Sequence, residues 1–204
     1  MLELNHGEKL VKLARSSVEK FFKNEKQEIE KTDDETLNQK TGVFVTILTF
    51  PEKNLRGCVG FPLGNLPLIE AVQKAAVASA FEDDRFMRLK EEELKKVIFE
   101  MSILTKPESI QVKDPKEYSK KIEIGKDGLI LQNGPFYGLL LPQVPLECNW
   151  NAEEFLANIC YKARITPDWL FDENTRLWKF QSQIFIEKEP KGKVIEIDLS
   201  KHAP

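Results

Sequence analysis

Apolar residues recur at helical spacing through Leu10, Leu13, Ala14, Val18, Phe21 and Phe22, which predicts an amphipathic helix from about Gly7 to Asn24 with one buried stripe. The next stretch, Lys23 to Lys40, is charge-dense, with only Ile29 and Leu37 to bury, and reads as a mobile loop or a short solvated helix. Its acidic and basic residues alternate, which argues against a nucleic-acid tail. Gly42 to Phe50 is β-branched, aromatic and apolar on both faces, the mark of a central strand covered on both sides. A turn at Pro51–Asn54 returns the chain as an antiparallel partner, Leu55–Phe61.

After a loop from Pro62 to Pro67, Ile69, Val72, Ala76 and Ala80 line one helical face, with Glu70, Gln73 and Lys74 opposite. Small residues on the buried side (Ala75, Ala76, Ala78, Ser79) allow this helix to approach a sheet closely. Glu91, Glu92 and Glu93 open a short helix at the end its dipole favours for acids. Ile98–Leu104 alternates, with Phe99, Met101 and Ile103 on one face and Glu100 and Ser102 on the other. Asp114 and Pro115 mark a helix start, and the turn dipeptides Asp127-Gly128 and Asn133-Gly134 bracket a strand before the next one, Phe136–Leu141. Asn151 with Glu154 matches a capping box opening a helix through Arg164. Leu177–Ile186 and Val194–Ile197 read as closing strands. Hairpins mixed with helices, without regular βαβ alternation, make an α+β architecture with mainly antiparallel sheets.

One stretch carries candidate chemistry. In Asn54-Leu55-Arg56-Gly57-Cys58-Val59-Gly60-Phe61, strand alternation sends Leu55, Gly57, Val59 and Phe61 toward a core. Arg56 and Cys58 point the other way, roughly 7 Å apart at the strand repeat. A guanidinium beside a thiol favours the thiolate, so Cys58 is a candidate nucleophile. The usual base is missing, because the only histidines, His6 and His202, lie near the two ends of the sequence. Glu82, Asp83 or Glu100 would serve as base only at the cost of raising the thiol pKa. The other reading is that Cys58 is a small packing residue between two glycines. Arg56 likewise has two readings: a clamp on a carboxylate or phosphate, or a salt bridge to the Glu82/Asp83/Asp84 cluster. The candidate pocket combines Arg56, Cys58, Asp83, Arg85 and Glu100.

Composition narrows the class. The chain has 204 residues, 41% hydrophobic and 31% charged, enough for one large domain or two small ones with a real core. A net charge of -3 argues against a general phosphate-backbone binder. Three widely spaced cysteines (Cys58, Cys148, Cys160) suit a reducing cytoplasm and lack metal-ligand spacing, so neither a disulfide framework nor a metal is expected. No phosphate loop or dinucleotide fingerprint appears, and no cofactor is expected. No apolar run is long enough to span a membrane, and the N-terminus lacks the features of a signal peptide. Trp150, Trp169 and Trp178 are expected to pack in the core rather than stack on bases.

Taken in order, several signatures resemble the AMMECR1 family: Leu55-Arg56-Gly57-Cys58-Val59-Gly60, Ala80-Phe81-Glu82-Asp83-Asp84-Arg85-Phe86, Glu100-Met101-Ser102-Ile103-Leu104, Leu141-Pro142-Gln143-Val144, Trp150, Phe155-Leu156 through Cys160-Tyr161-Lys162-Ala163, and Trp169. The resemblance runs from about Gly7 to Ile186. Asp84 stands where the family usually has proline, and Arg164 where it usually has glycine. The resemblance implies two α+β subdomains, a larger one from 1–90 and 146–204 and a smaller β-rich one expected at 91–145. It also implies a shared pathway with Memo-like and radical SAM proteins as partners. Function is left between an enzyme or small-ligand binder acting at the RGCVG pocket and a non-catalytic protein-interaction module in which RGCVG is structural.

Overall fold

The structure, a computed structural model, describes residues 2–199. Helices α1 (Leu4–Phe22), α2 (Glu35–Asn38) and α3 (Leu68–Phe81) accompany strands β1 (Val43–Thr49), β2 (Leu55–Phe61) and β3 (Val97–Leu104). Then come β4 (Glu108–Ser109), β5 (Gly128–Asn133), β6 (Phe136–Leu140), α4 (Val144–Glu147), α5 (Ala152–Lys162), β7 (Arg176–Phe180), β8 (Ser182–Glu187) and β9 (Val194–Ile197). Short 3-10 turns of helix occupy Glu91–Lys96, Pro115–Lys121 and Pro167–Phe171. This is an α+β fold with antiparallel sheets.

The chain divides into two compact units, with breaks at Leu104/Thr105, Ser182/Gln183 and Ile197/Asp198. The sequence suggested an insertion over 91–145. In the structure β3 stays with the first unit, since every residue from Val97 to Ile103 pairs with β1. The helix α5 belongs with 105–182, because Phe155, Leu156, Ile159 and Cys160 are buried in a core with Leu129, Leu131 and Leu177.

In the first unit the sheet order is β2-β1-β3-β8-β9. Val43, Val45 and Ile47 of β1 are fully buried on one face, in a core with Leu10, Val11, Leu13, Ala14 and Val18 of α1 and Ile69, Val72, Ala75 and Ala76 of α3. The opposite face of β1 is only half covered, with Phe44, Thr46 and Leu48 partly exposed, so the strand is central but not closed over on both sides as its composition predicted. Leu55, expected in the core, is exposed at the start of β2.

The charge-dense segment before β1 is largely exposed and carries the short helix α2, one of its two readings, but it is fastened to the core at two points. Leu37 is fully buried. Gln73, expected on the solvent face of α3, is buried instead: its Oε1 accepts from Glu30 N at 2.7 Å and its Nε2 donates to Glu28 O at 3.1 Å. A second unforeseen polar group is the ion pair Arg15–Glu187, both side chains almost fully buried. Arg15 also donates to the carbonyls of Leu94 and Val97, Glu187 accepts Phe99 N at 3.0 Å, and the guanidinium lies 4.7 Å from the Phe99 ring centroid. Full use of both groups is what makes burial of the charges tolerable.

In the second unit the sheet order is β4-β7-β5-β6. The run 177–186, read as a single strand, breaks at Gln181 into β7 and β8, which belong to different sheets. Two apolar, strand-prone segments joined by the short polar run Gln181-Ser182-Gln183 hide such a switch. The Asn133-Gly134 turn forms as expected, with Gly134 at φ +53° joining β5 to β6.

Candidate functional site

The RGCVG stretch lies on β2, an edge strand, and Arg56, Gly57, Cys58 and Val59 have distinct physical duties. Gly57 faces α3: a Cβ there would overlap the Ser79 carbonyl oxygen, so only glycine lets the helix backbone come this close. That approach places the Ser79 hydroxyl between two paired strands. Ser79 Oγ accepts from Val59 N at 2.9 Å and sits 2.7 Å from Val45 O, and Val45 and Val59 are partners in the β1–β2 register.

An edge strand carries N–H and C=O groups with no strand beyond them. For Cys58 both are met by side chains from the turn after α3. Asp83 Oδ2 accepts Cys58 N at 2.8 Å, and Arg85 Nη2 donates to Cys58 O at 3.2 Å. Asp83 and Arg85 in turn form a two-pronged pair, Nε to Oδ1 at 2.9 Å and Nη2 to Oδ2 at 2.7 Å. This pair stands in for a neighbouring strand. With Arg85 as the main cause, and Cys58 N adding to it, the Asp83 carboxyl is held down to about 2 against the opposing effect of burial.

Arg56 goes elsewhere. Its guanidinium donates to both carboxylate oxygens of Glu93 (2.8 and 3.1 Å), to Met87 O at 2.8 Å and, at longer range, to Arg88 O at 3.4 Å. Neither sequence reading of Arg56 anticipated this, since its carboxylate partner is Glu93, not the Glu82/Asp83/Asp84 cluster. Arg56 pulls the Glu93 carboxyl below its ordinary value. Glu93 Oε2 also accepts Lys90 N at 2.8 Å, so one arginine and one glutamate pin the whole turn from Met87 to Glu93 against β2.

The Cys58 thiol is half-buried on the less covered face of the sheet, in a row with Thr46 and Glu100: the register pairs Thr46 with both. Thr46 Oγ1 donates to Cys58 Sγ at 3.3 Å. Burial pushes the thiol pKa up; Thr46 and the Arg85 charge pull it down, while Asp83 and Glu100 push it up further, and the net direction is upward. The activating cation expected from Arg56 is therefore absent: the nearby cation is Arg85, whose charge Asp83 largely offsets. Of the two histidines, His6 pairs with Asp34 (Nε2 to Oδ2, 3.2 Å) while its Nδ1 accepts Glu3 N, and His202 lies outside the described residues.

The structure thus brings Cys58, Asp83, Arg85 and Glu100 into one neighbourhood and directs Arg56 to the loop beyond it. Sequence reasoning missed Thr46, Ser79 and Glu93. Thr46 was recoverable from strand parity, as it shares the face of Cys58. Ser79 and Glu93 carried no local signal, because their roles depend on which element crosses β2.

The AMMECR1 family model matches residues 11–185. Protein MJ0810 of Methanocaldococcus jannaschii is 46% identical over 196 residues, covering 96% of this chain and 97% of its own length. Protein MK0488 of Methanopyrus kandleri is 43% identical over 200 residues, covering 98% and 97%. Among solved structures, the crystal structure of the uncharacterized protein PH0010 from Pyrococcus horikoshii superposes with a TM-score of 0.87 at 45% identity, covering 94% of this chain and 96% of that one.

Proposed function

The chain belongs to the AMMECR1 family, and from that premise we propose that it is a non-catalytic protein-interaction module in which RGCVG is a structural brace. The observation that carries this reading is the engagement of Arg56: its donors hold Glu93 and the carbonyls of Met87 and Arg88. What the brace presents is the loop 84–90. Met87 is 85% exposed at its tip, flanked by the exposed cations Arg88 and Lys90, while Arg85 is paired with Asp83 and the exposed Asp84 opens the loop. An exposed methionine among cations, fixed from behind by hydrogen bonds, fits an acidic partner surface with an apolar socket. The Memo-like and radical SAM proteins implied by the family resemblance are the first partners to try. A cytoplasmic location is part of the same reading, supported by three free cysteines. No helix among the described residues is long and apolar enough to cross a membrane.

Asp83 and Arg85 then serve the Cys58 backbone at the edge of β2 rather than a substrate, and Glu100 lies two strands away on β3. Residue-resolved iodoacetamide labelling of the folded protein across pH tests this. Exposed Cys148 is expected to react first, Cys58 later with a midpoint above the ordinary thiol value, and buried Cys160, pushed up to about 11, last. Labelling of Cys58 ahead of Cys148 with a depressed midpoint would reveal an activated thiolate and sink the non-catalytic reading. Capture with the two candidate partners supplies the positive arm: retention by Cys58→Ala and loss by Met87→Asp is the expected pattern.

A further inference from the structure

Within the unit 105–182, the C-terminal end of α5 opens onto a shallow, solvent-open cleft of about 390 Å³ lined by Phe136, Tyr161, Arg164, Ile165, Thr166 and Trp169. Its volume lies in the range of small-molecule sites, toward the lower end. Phe136 and Trp169 meet edge to face, ring centroids 5.5 Å apart at 76°, and give the wall a fixed shape. Tyr161, more than half exposed, offers a second aromatic surface.

Arg164 is the telling residue. It follows the last turn of α5, where Arg164 N donates to Tyr161 O at 2.9 Å and Ile165 N to Cys160 O at 3.0 Å, and it adopts φ +64°. Such a helix-ending position is one where glycine is free of strain and a residue with a Cβ is not. The bulky side chain held there forms no hydrogen bond or ion pair among the described residues, unlike Arg15, Arg56 and Arg85. Among the described residues no carboxylate lines the cleft to neutralise it, and its other side-chain polar groups are the Thr166 and Tyr161 hydroxyls and the Trp169 indole N–H.

We propose that this cleft binds a small planar aromatic anion, its ring against Tyr161 and Trp169 and its carboxylate or phosphate on the Arg164 guanidinium. A guanidinium fork matches either oxyanion, and a flat ring uses aromatic walls with little loss of conformational freedom. The site goes beyond the docking role of the loop 84–90, and it stands if that reading fails.

The test is titration of the full chain with adenosine monophosphate, indole-3-acetate and uncharged adenosine, followed by calorimetry and by the indole N–H resonance of Trp169. At least one anion is expected to bind in the millimolar range or tighter and shift Trp169, with adenosine at least about tenfold weaker, the loss of one charge-assisted contact. Whether the nucleotide or the carboxylate binds decides the source of the anion. Arg164→Gly separates binding from architecture: it removes the fork and relieves the backbone, so affinity is expected to fall about tenfold while Tm rises by roughly 2–4 °C. Tyr161→Ala, at an exposed position, should weaken binding without lowering Tm. If neither anion moves Trp169 at millimolar concentration, or if Arg164→Gly binds as well as the parent, the site is not as described.

Discussion

At the scale of single residues, Asp83 shows how much one carboxylate can hold together. Its two oxygens accept from Cys58 N, from Arg85 N and from two nitrogens of the Arg85 guanidinium, with only 4% of the side chain exposed. Its pKa of about 2 in the folded chain lies below the value of about 3.9 usual in an unfolded one. A depressed carboxyl stabilises the fold above the unfolded pKa and loses that contribution as pH falls through the folded one. Asp83→Asn is therefore expected to cost about 2 kcal/mol near neutrality, with the gap to the parent protein closing between pH 4 and pH 2. Denaturant unfolding at a series of pH values checks this, and a gap independent of pH would mean the carboxylate charge is irrelevant. Gly57→Ala addresses the helix contact. With a Cβ driven into the Ser79 carbonyl, backbone must move, and a loss of about 1–3 kcal/mol is expected from equilibrium unfolding. Both residues were visible in the sequence, the glycine within RGCVG and the aspartate in the candidate pocket. Asp83 stood out as part of an acidic cluster, but its partner could not be read, because the pairing is set by where the turn after α3 lands on β2.

At the scale of elements, caps and periodicity behaved as local chemistry demands. The Asn151 side chain accepts from Glu153 N and Glu154 N, and Glu154 returns a bond to Asn151 N, which is the reciprocal box read from the sequence. Asn151→Ala should lower stability by about 1 kcal/mol, readable as a fall in the denaturant midpoint with an unchanged slope; no fall would mean water caps α5 equally well. The C-terminal end of α5 was less readable. A helix running through Arg164 was expected from its pattern, but α5 ends at Lys162 and Arg164 takes the left-handed turn. Side-chain pattern reports which face is buried, not where the backbone reverses hand. The same limit joined β7 and β8 into one strand: both halves are strand-prone, and only the sheets they enter tell them apart.

For the whole molecule, the ion pair Arg15–Glu187 links α1 to β8, 172 residues apart, and the guanidinium reaches two further carbonyls near β3. Removing one partner leaves the other charged and buried, so Glu187→Leu is expected to cost about 3–5 kcal/mol, enough to abolish cooperative unfolding at elevated temperature by calorimetry. A nearly unchanged transition would mean that water reaches Arg15. The segment 105–182 has its own core around Leu129, Leu131, Phe155 and Ile159, and expressed alone it is expected to give dispersed amide resonances and one cooperative transition. A collapsed spectrum would show that it depends on the rest of the chain.

The α+β class, most elements, the hairpin that carries Cys58 and membership of a family were legible in the amino-acid order, because these rest on periodicity, turn chemistry and the order of short motifs. Tertiary structure decided what the conspicuous residues do. Arg56 sits two residues from Cys58 yet bonds to Glu93, and Cys58 takes its backbone partners from Asp83 and Arg85. The physical reason is that a hydrogen bond is satisfied by whatever group lies within about 3 Å, and distances of that size between remote segments are fixed by packing. Strand alternation can state which face a side chain leaves from, but only the elements folded over that face determine what it meets.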